Sequence, residues 1–296
     1  MHLDSMEFRV LQYFLAVARE QSISGAAEFL HLSQPTLSRQ LKELEEELGK
    51  QLFIRGNRRI TLTDEGMLLR KRAEEIVDLV RKTEDEITVS DETITGDIHI
   101  GTGETDAMRL IIKAAQHLKE EYPEIHYHIS SDDAQDVVER LDKGLIDFGV
   151  LIGQVDISKY DYIPFPIQDT WGVLMQQDSP LAKKDYIVPE DLWDKPIIIS
   201  RQVVDNSDLG KWLQRKMSSL NIVATYNLIY NGSLMVDEGL GYALCLDKLI
   251  NMTGNSHLCF RPLKPELKVN LNIVWKKYQV FPKAAEKFLE QIQREF

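Results

Sequence analysis

This chain of 296 residues is poor in long apolar runs, in cysteine and in recognisable catalytic motifs, and each shortage excludes a class of protein. No stretch approaches the roughly 18 consecutive apolar residues that a membrane-spanning helix needs. The most apolar run near the start, VLQYFLAVA at residues 10–18, is broken by Gln12 and has no basic segment before it, so it does not read as a secretory signal. No membrane association and a cytoplasmic location are expected. The two cysteines, Cys245 and Cys259, have no C-x-x-C spacing, which argues against a disulfide scaffold and fits a reducing compartment where each is a small buried hydrophobe. H-E-x-x-H, G-x-S-x-G and P-loop patterns are absent, and nothing argues for catalysis. GTGETDA at residues 101–107 half resembles a dinucleotide loop, but Asp106 stands where a glycine is required, and with Glu104 it would repel a pyrophosphate. His126 and His128 share a face of a predicted strand. Without a third ligand at zinc-like spacing they read as an edge-strand pair and not as a metal site. No enzyme, cofactor or metal is therefore expected.

Positive charge is scarce as well: the net charge is −12, which at first disfavours a nucleic-acid partner. Its distribution changes that conclusion. Residues 1–63 hold eight Lys+Arg and eight Asp+Glu, so the acid excess lies almost wholly downstream. Exposed charges are screened beyond about 8 Å at physiological salt, so an acidic module held apart need not cancel a locally basic surface.

What is present begins with helical periodicity. Phe8, Leu11, Phe14, Leu15 and Ala18 predict an amphipathic helix over about 7–19. A second short helix follows in SISGAAEFL, with Ser22 or Ser24 as its N-cap and Ala26, Ala27, Phe29 and Leu30 as its inner side. Ser33 then caps a third helix, with Pro35 in the first turn, a stripe of Leu37, Leu41, Leu44 and Leu48, and Gly49 as an αL stop. Two short helices joined by a tight turn describe a helix-turn-helix. The third helix carries Ser33, Gln34, Pro35, Thr36, Ser38, Arg39 and Lys42 in its first half, and glutamates from Glu43 onward. Hydroxyl, amide and guanidinium groups at the N-terminal half suit base edges and phosphates, while acids suit the end that leaves the groove. QLFIRGNRRITLT reads as a β-hairpin wing, with Arg55, Asn57, Arg58 and Arg59 at its tip for phosphate or the minor groove.

Residues 7–66 resemble the winged helix-turn-helix of the LysR-type transcriptional regulators, through F-x-A-V-A, A-A-x-x-L-x-x-S-Q-P-x-L-S-R-Q-x-x-x-L-E-x-x-L-G-x-x-L-F-x-R and L-T-x-x-G. The resemblance implies a homodimer placing two such helices on an imperfect palindrome of double-stranded DNA, with Gln34, Pro35, Ser38 and Arg39 at the contact surface. It further implies dimers that pair into tetramers.

From Thr63 onward Leu69, Ala73, Ile76, Val80, Thr83 and Ile87 recur at spacings of 4, 3, 4, 3 and 4, a heptad seam that buries itself against another helix. A dimerising pair is expected, the alternative being packing against the chain's own body. Beyond Gly96 strands and helices alternate, DIHIG, MRLIIKAAQHLKEEYP, IHYHIS, AQDVVERLDKGLI and DFGVLI, which predicts an α/β region. The LysR-type resemblance continues through YPEIHYHI, LDKGLIDFGVLIG, DSPLA and VDEGLGYALCL. It implies a two-lobed effector domain like the periplasmic binding proteins. The expected organisation is thus a winged helix-turn-helix at 6–63, a linker helix at 64–92 and an effector domain at 96–296. Lobe one would comprise 96–166 and 267–296, and lobe two 167–266.

Carried over by that resemblance, Thr102, Gly103, Thr105, Ser130, Ser131, Ile152, Ser200, Arg201, Gln202, Gly232 and Ser233 would line a small-molecule site between the lobes. Glu104, Asp106, Asp132 and Asp133 crowd the loops where an anion would sit, which disfavours a dianion and favours a zwitterionic, neutral or cationic effector, with Arg201 the candidate for any carboxylate. The alternative is that these acids cap helices. The function expected is a sequence-specific, effector-controlled transcriptional regulator; the alternative is an enzyme fused to a DNA-binding head.

Overall fold

The computed structural model describes residues 6–56, 59–88 and 94–296, which fall into two compact units, 1–88 and 89–296.

In the first unit α1 (Phe8–Glu20) buries Val10, Leu11, Phe14 and Val17 on one stripe. The next helix, α2 (Ile23–Phe29), is capped by Ser22, whose side chain accepts from Gly25 N. The third, α3 (Gln34–Leu48), begins at Ser33, which accepts from Thr36 N, and ends at Gly49 in the left-handed region at φ 63°. That conformation carries little cost for glycine alone. Leu37, Leu41 and Leu44 are buried, whereas Leu48, the expected end of the stripe, is 37% exposed at the last residue of the helix.

Strands β1 (Phe53–Arg55) and β2 (Ile60–Leu62) pair antiparallel, Phe53 opposite Leu62, as the wing. Glu45 docks this hairpin: its carboxylate accepts from Leu52 N at 2.7 Å and Phe53 N at 3.1 Å. One member of the acidic half of α3 is therefore an internal anchor. Helix α4 (Asp64–Thr88) follows, with the Thr63 hydroxyl accepting from Gly66 N. A Cβ at Gly66 would lie 2.2 Å from Leu52 O, so only glycine lets the helix start this close to the wing.

The second unit carries two sheets. The first runs in the order β4-β3-β5-β13-β6: β3 (Gly96–Thr102) lies parallel to β4 (Ile125–Ser131) and β5 (Phe148–Ile152), and β13 (Leu271–Lys276) lies antiparallel to β5 and β6 (Tyr160–Pro164). Helices α5 (Met108–Glu121) and α9 (Lys283–Glu295) cover one face around Phe148 and Phe288, while α6 (Ala134–Asp142) covers the other around Val137 and Leu141.

The second sheet runs β11-β7-β10-β8-β9, from β7 (Asp169–Gln176), β8 (Ile197–Ser200), β9 (Ile222–Tyr226), β10 (Tyr242–Leu246) and β11 (Leu258–Pro262). Its helices are α7 (Asp208–Trp212) and α8 (Ile229–Asp237), and β12 (Lys268–Val269) pairs with β7. The chain thus crosses between sheets twice. The return crossing falls at Asn270, after β12, and not at the 266/267 boundary expected from sequence, because Lys268 and Val269 still hydrogen-bond within the second sheet.

Candidate functional site

Two surfaces carry the candidate chemistry, one in each unit. On the first, Ser33, Gln34, Pro35, Thr36, Arg39 and Lys42 are exposed at the start of α3, and Ser38 is half-buried. Leu37 and Leu41 point inward on the same turns, which fixes the direction in which the polar side chains project. Among the described residues the cations are held by their own helix: Arg39 Nε lies 3.7 Å from Glu43 and Lys42 Nζ 3.1 Å from Glu46, with every partner at least half exposed. Such i,i+4 pairs contribute about 0.3–0.5 kcal/mol and give way readily to a stronger anion. Arg59 is exposed on the wing; Arg55 lies in β1; Asn57 and Arg58 fall outside the described residues.

Along α4 the expected seam divides. Ala73 is fully buried in the core of the head and Leu69 packs partly against it, because α4 lies across α1. These two are spent on the chain's own body and leave the exposed stripe. It continues with Ile76, Val80, Thr83 and Ile87, joined by Leu79, and Leu79, Val80, Thr83 and Ile87 line a shallow apolar groove. Thr83 donates its hydroxyl to Leu79 O at 2.7 Å, so it presents no unpaired donor to that groove.

In the second unit a cavity of about 430 Å³ opens between the two sheets. The first lobe supplies Gly103, Glu104, Asp132, Ala134 and residues 152–155; the second supplies Trp171, Ser200, residues 202–204 and 206–209, Tyr226, Asn227, Ile229, Leu246, Leu249 and Val269. Of the residues expected from sequence, Gly103, Ile152, Ser200 and Gln202 line it.

The others are engaged elsewhere. Thr102 is buried and donates to Gly103 O; Thr105 is buried and donates to Asp169 at 2.6 Å. Ser130 accepts from Arg140 at 2.9 Å, and Ser131, the last residue of β4, is exposed away from the cavity. Gly232 and Ser233 are buried within α8, where Ser233 donates to Tyr230 O. Arg201 departs from its expected role. Its guanidinium pairs with Asp133 and lies 3.4 Å from Asp136, so it ties the lobes together and does not wait for a carboxylate. Asp106 likewise pairs with Arg109 at 2.7 Å.

Contacts that cross the cleft include Arg201 to Asp133 and Asp136, Thr105 to Asp169, Gln202 to Ala134 N at 3.4 Å, and Glu104, whose carboxylate accepts from Ile229 N at the start of α8. Burial pushes the Asp133 carboxyl up, but the Asp136 amide and the Arg201 guanidinium outweigh it and hold the group below its ordinary value. Burial raises Asp169, against the opposing hydrogen bond from Thr105.

The electrostatics of the cavity are one-sided. Among its described lining residues are three carboxylates, Glu104, Asp132 and Asp208, and no Lys, Arg or His. Asp132 is partly neutralised by Arg140 at 3.1 Å. The walls add Trp171 and the ring of Tyr226, whose hydroxyl is occupied by Leu244 O. Sequence reasoning missed Trp171, Tyr226 and the stretch from Asn206 to Asp208. A signal for the last existed, since the N-S-D cluster ahead of LGKWL marks a helix start, and Ser207 does cap α7 by accepting from Gly210 N. Both thiols are pushed up by burial, Cys245 to about 12.

Two family models match the chain: "Bacterial regulatory helix-turn-helix protein, lysR family" over residues 8–67 and "LysR substrate binding domain" over 91–296. The HTH-type transcriptional regulator BsdA of Bacillus subtilis is 30% identical over 294 residues, covering 96% of this chain and 99% of the relative. OxyR of Escherichia coli, a DNA-binding transcriptional dual regulator, is 29% identical over 195 residues, 66% of this chain and 63% of its own length. Among solved structures the fold is similar to the LysR family regulator CbnR, with a TM-score of 0.75 at 19% identity over 98% of this chain and 99% of that one. Full-length CbnR complexed with target DNA gives 0.73 at the same identity, over 98% of this chain and 100% of that one.

Proposed function

The chain belongs to the LysR family of transcriptional regulators, and we propose that it reads DNA through the first half of α3 while a small apolar molecule bearing an amine or hydroxyl occupies the cleft between its lobes. It binds DNA and an effector, as the family does; the residues and the effector class are the proposal. Gln34, Thr36, Ser38 and Arg39 enter the major groove, Ser33, Pro35 and Lys42 support them against the backbone, and Arg55, Asn57, Arg58 and Arg59 of the wing grip phosphate. A homodimer forms along α4 from Ile76 to Ile87, dimers pair into tetramers, and the protein works in the cytoplasm.

One observation supports the effector class above all: a cavity with three carboxylates, two aromatic walls and no cation among its described lining residues. A carboxylate ligand entering it would be desolvated without a countercharge, which costs several kcal/mol. An ammonium or a hydroxyl finds acceptors at Glu104 and Asp208, and its apolar body packs on Trp171 and Tyr226. The ligand binds the closed cleft better than the open one, and that difference in affinity shifts the lobes and with them the association of dimers on DNA.

No turnover is part of this reading. The cavity hydroxyls of Ser207 and Tyr226 are already donated to Val204 O and Leu244 O, and Ser200 accepts from Gln202 N. A peroxide response, for which the hydrogen peroxide-inducible genes activators among its relatives are named, finds no support in two thiols whose burial disfavours the thiolate. The test is titration of full-length protein on palindromic DNA at several salt concentrations, with and without apolar amines. Specific, salt-dependent binding that shifts with an amine supports the proposal; binding indifferent to sequence overturns it.

A further inference from the structure

The sequence offers His126 and His128 as a pair without a third ligand. The fold supplies the missing partners from the neighbouring strand. β3 and β4 run parallel with Asp97 opposite His126 and His99 opposite His128, so the alternation of each strand puts all four on one face. The result is a two-by-two grid of three imidazoles and one carboxylate. Asp97, His99 and His128 each offer a ligand atom within 4.8 Å of the others. His128 Nε2 lies 3.1 Å and His126 Nδ1 3.9 Å from Asp97 Oδ1, while the His99 and His128 rings stack with centroids 4.7 Å apart and 16° between planes.

We propose that Asp97, His99 and His128 form a site for a divalent transition-metal ion of the zinc class, with His126 positioned to complete it. A zinc site holds N and O ligands about 2 Å from the ion and therefore about 3.3 Å from one another. One contact of the grid is already at that spacing, and the rest close with side-chain rotation at a half-exposed surface. An ordinary ion pair with Asp97 needs one imidazole, and the strand face brings three. The donor set, imidazole with carboxylate and no thiolate, suits zinc, nickel or copper and is poor for magnesium or calcium. The scaffold is stiff: His99 N is held at 2.8 Å by the Asp147 carboxylate, and Ile98 and Ile100 anchor the strand beneath. The same two strands end at Thr102 and Ser131, next to Gly103, Glu104 and Asp132 of the cavity, so an ion clamping β3 to β4 stiffens the framework from which those residues project. The site stands on residues outside the cleft and does not depend on the effector class.

The test is equilibrium dialysis and calorimetry of tag-free, metal-stripped full-length protein with Zn2+ alone. One zinc per chain is expected, with a rise in melting temperature that grows with free zinc. Losing a metal's outer-sphere partner costs roughly 10–100-fold in affinity, so losing a ligand through His99→Ala or His128→Ala weakens binding at least about tenfold. His117→Ala, at an exposed histidine paired with Glu295 on α9, leaves it unchanged. His99 and His128 variants that melt like the parent without metal, yet lose the zinc-dependent rise, support the site. Absence of saturable zinc uptake, or binding untouched by both substitutions, overturns it.

Discussion

At the scale of single residues, the charged side chains divide into those that wait for a ligand and those already committed. In the proposed reading Arg39 and Lys42 are the ones available to DNA, because their exposed pairs with Glu43 and Glu46 are weak. Arg39→Ala should weaken specific DNA binding by about 1–3 kcal/mol and lower its salt slope, measured by fluorescence anisotropy across salt; Gln34→Ala should relax the site preference with less effect on the slope. Glu45 and Arg201 are committed. Glu45→Ala strips two half-buried backbone amides of their acceptor and should destabilise the head by about 1–3 kcal/mol, seen as a lower melting temperature. The Asp133 carboxyl has its folded pKa below the unfolded value. The stability it contributes is therefore present above the unfolded pKa near 4 and fades as pH falls through the lower folded pKa. Acid titration of Asp133→Asn should show a shallower loss of stability in that range than the parent. Asp169 has the opposite sign: its raised pKa means ionisation opposes folding, so Asp169→Asn should be at least as stable as the parent at neutral pH in a melting experiment.

At the scale of elements, α3 was the most legible part of the chain. Ser33, Pro35 and Gly49 each constrain the backbone locally, and the structure uses each where a local rule requires it. The Ser22 or Ser24 ambiguity is decided for Ser22 by its bond to Gly25 N. Helix α4 was legible as a helix but not in its partners. Heptad spacing says which residues share a face; it does not say which of them α1 covers, and burial of Ala73 is a tertiary fact. The division gives a prediction. Ile76→Asp and Ile87→Asp should leave the head folded and shift the protein toward monomer in sedimentation, whereas Ala73→Leu should overpack the head and lower its melting temperature. The histidines of β4 show the same limit from the other side, since their partners Asp97 and His99 are set by strand pairing and not by spacing along the chain.

At the scale of the whole molecule, the alternation of strands and helices announced an α/β region, and the return of β13 to the first sheet makes each lobe depend on both crossings. The cavity was the least legible feature. Its lining comes from loops and from the ends of strands and helices scattered between Gly103 and Val269, and the hydroxyls of Thr102, Thr105 and Ser233 satisfy neighbours within the fold. Arg201 was misread for the same reason: Asp133 lies 68 residues away in the chain and only the closed topology brings them together. The balance of charge in the loops was readable in part: Glu104 and Asp132 line the cavity as expected, whereas Asp106 is paired with Arg109, Asp133 caps α6 and holds Arg201, and the third lining acid, Asp208, was missed.

The central claim is that this acid-lined cleft selects its effector by charge. It is tested most directly by melting the full-length protein against matched apolar amines and carboxylates of equal size, alongside Glu104→Gln. The account predicts that amines raise the melting temperature in a saturable way, that carboxylates do not, and that Glu104→Gln reduces the amine shift. A carboxylate that stabilises the parent as strongly as its matched amine, unaffected by Glu104→Gln, would contradict it.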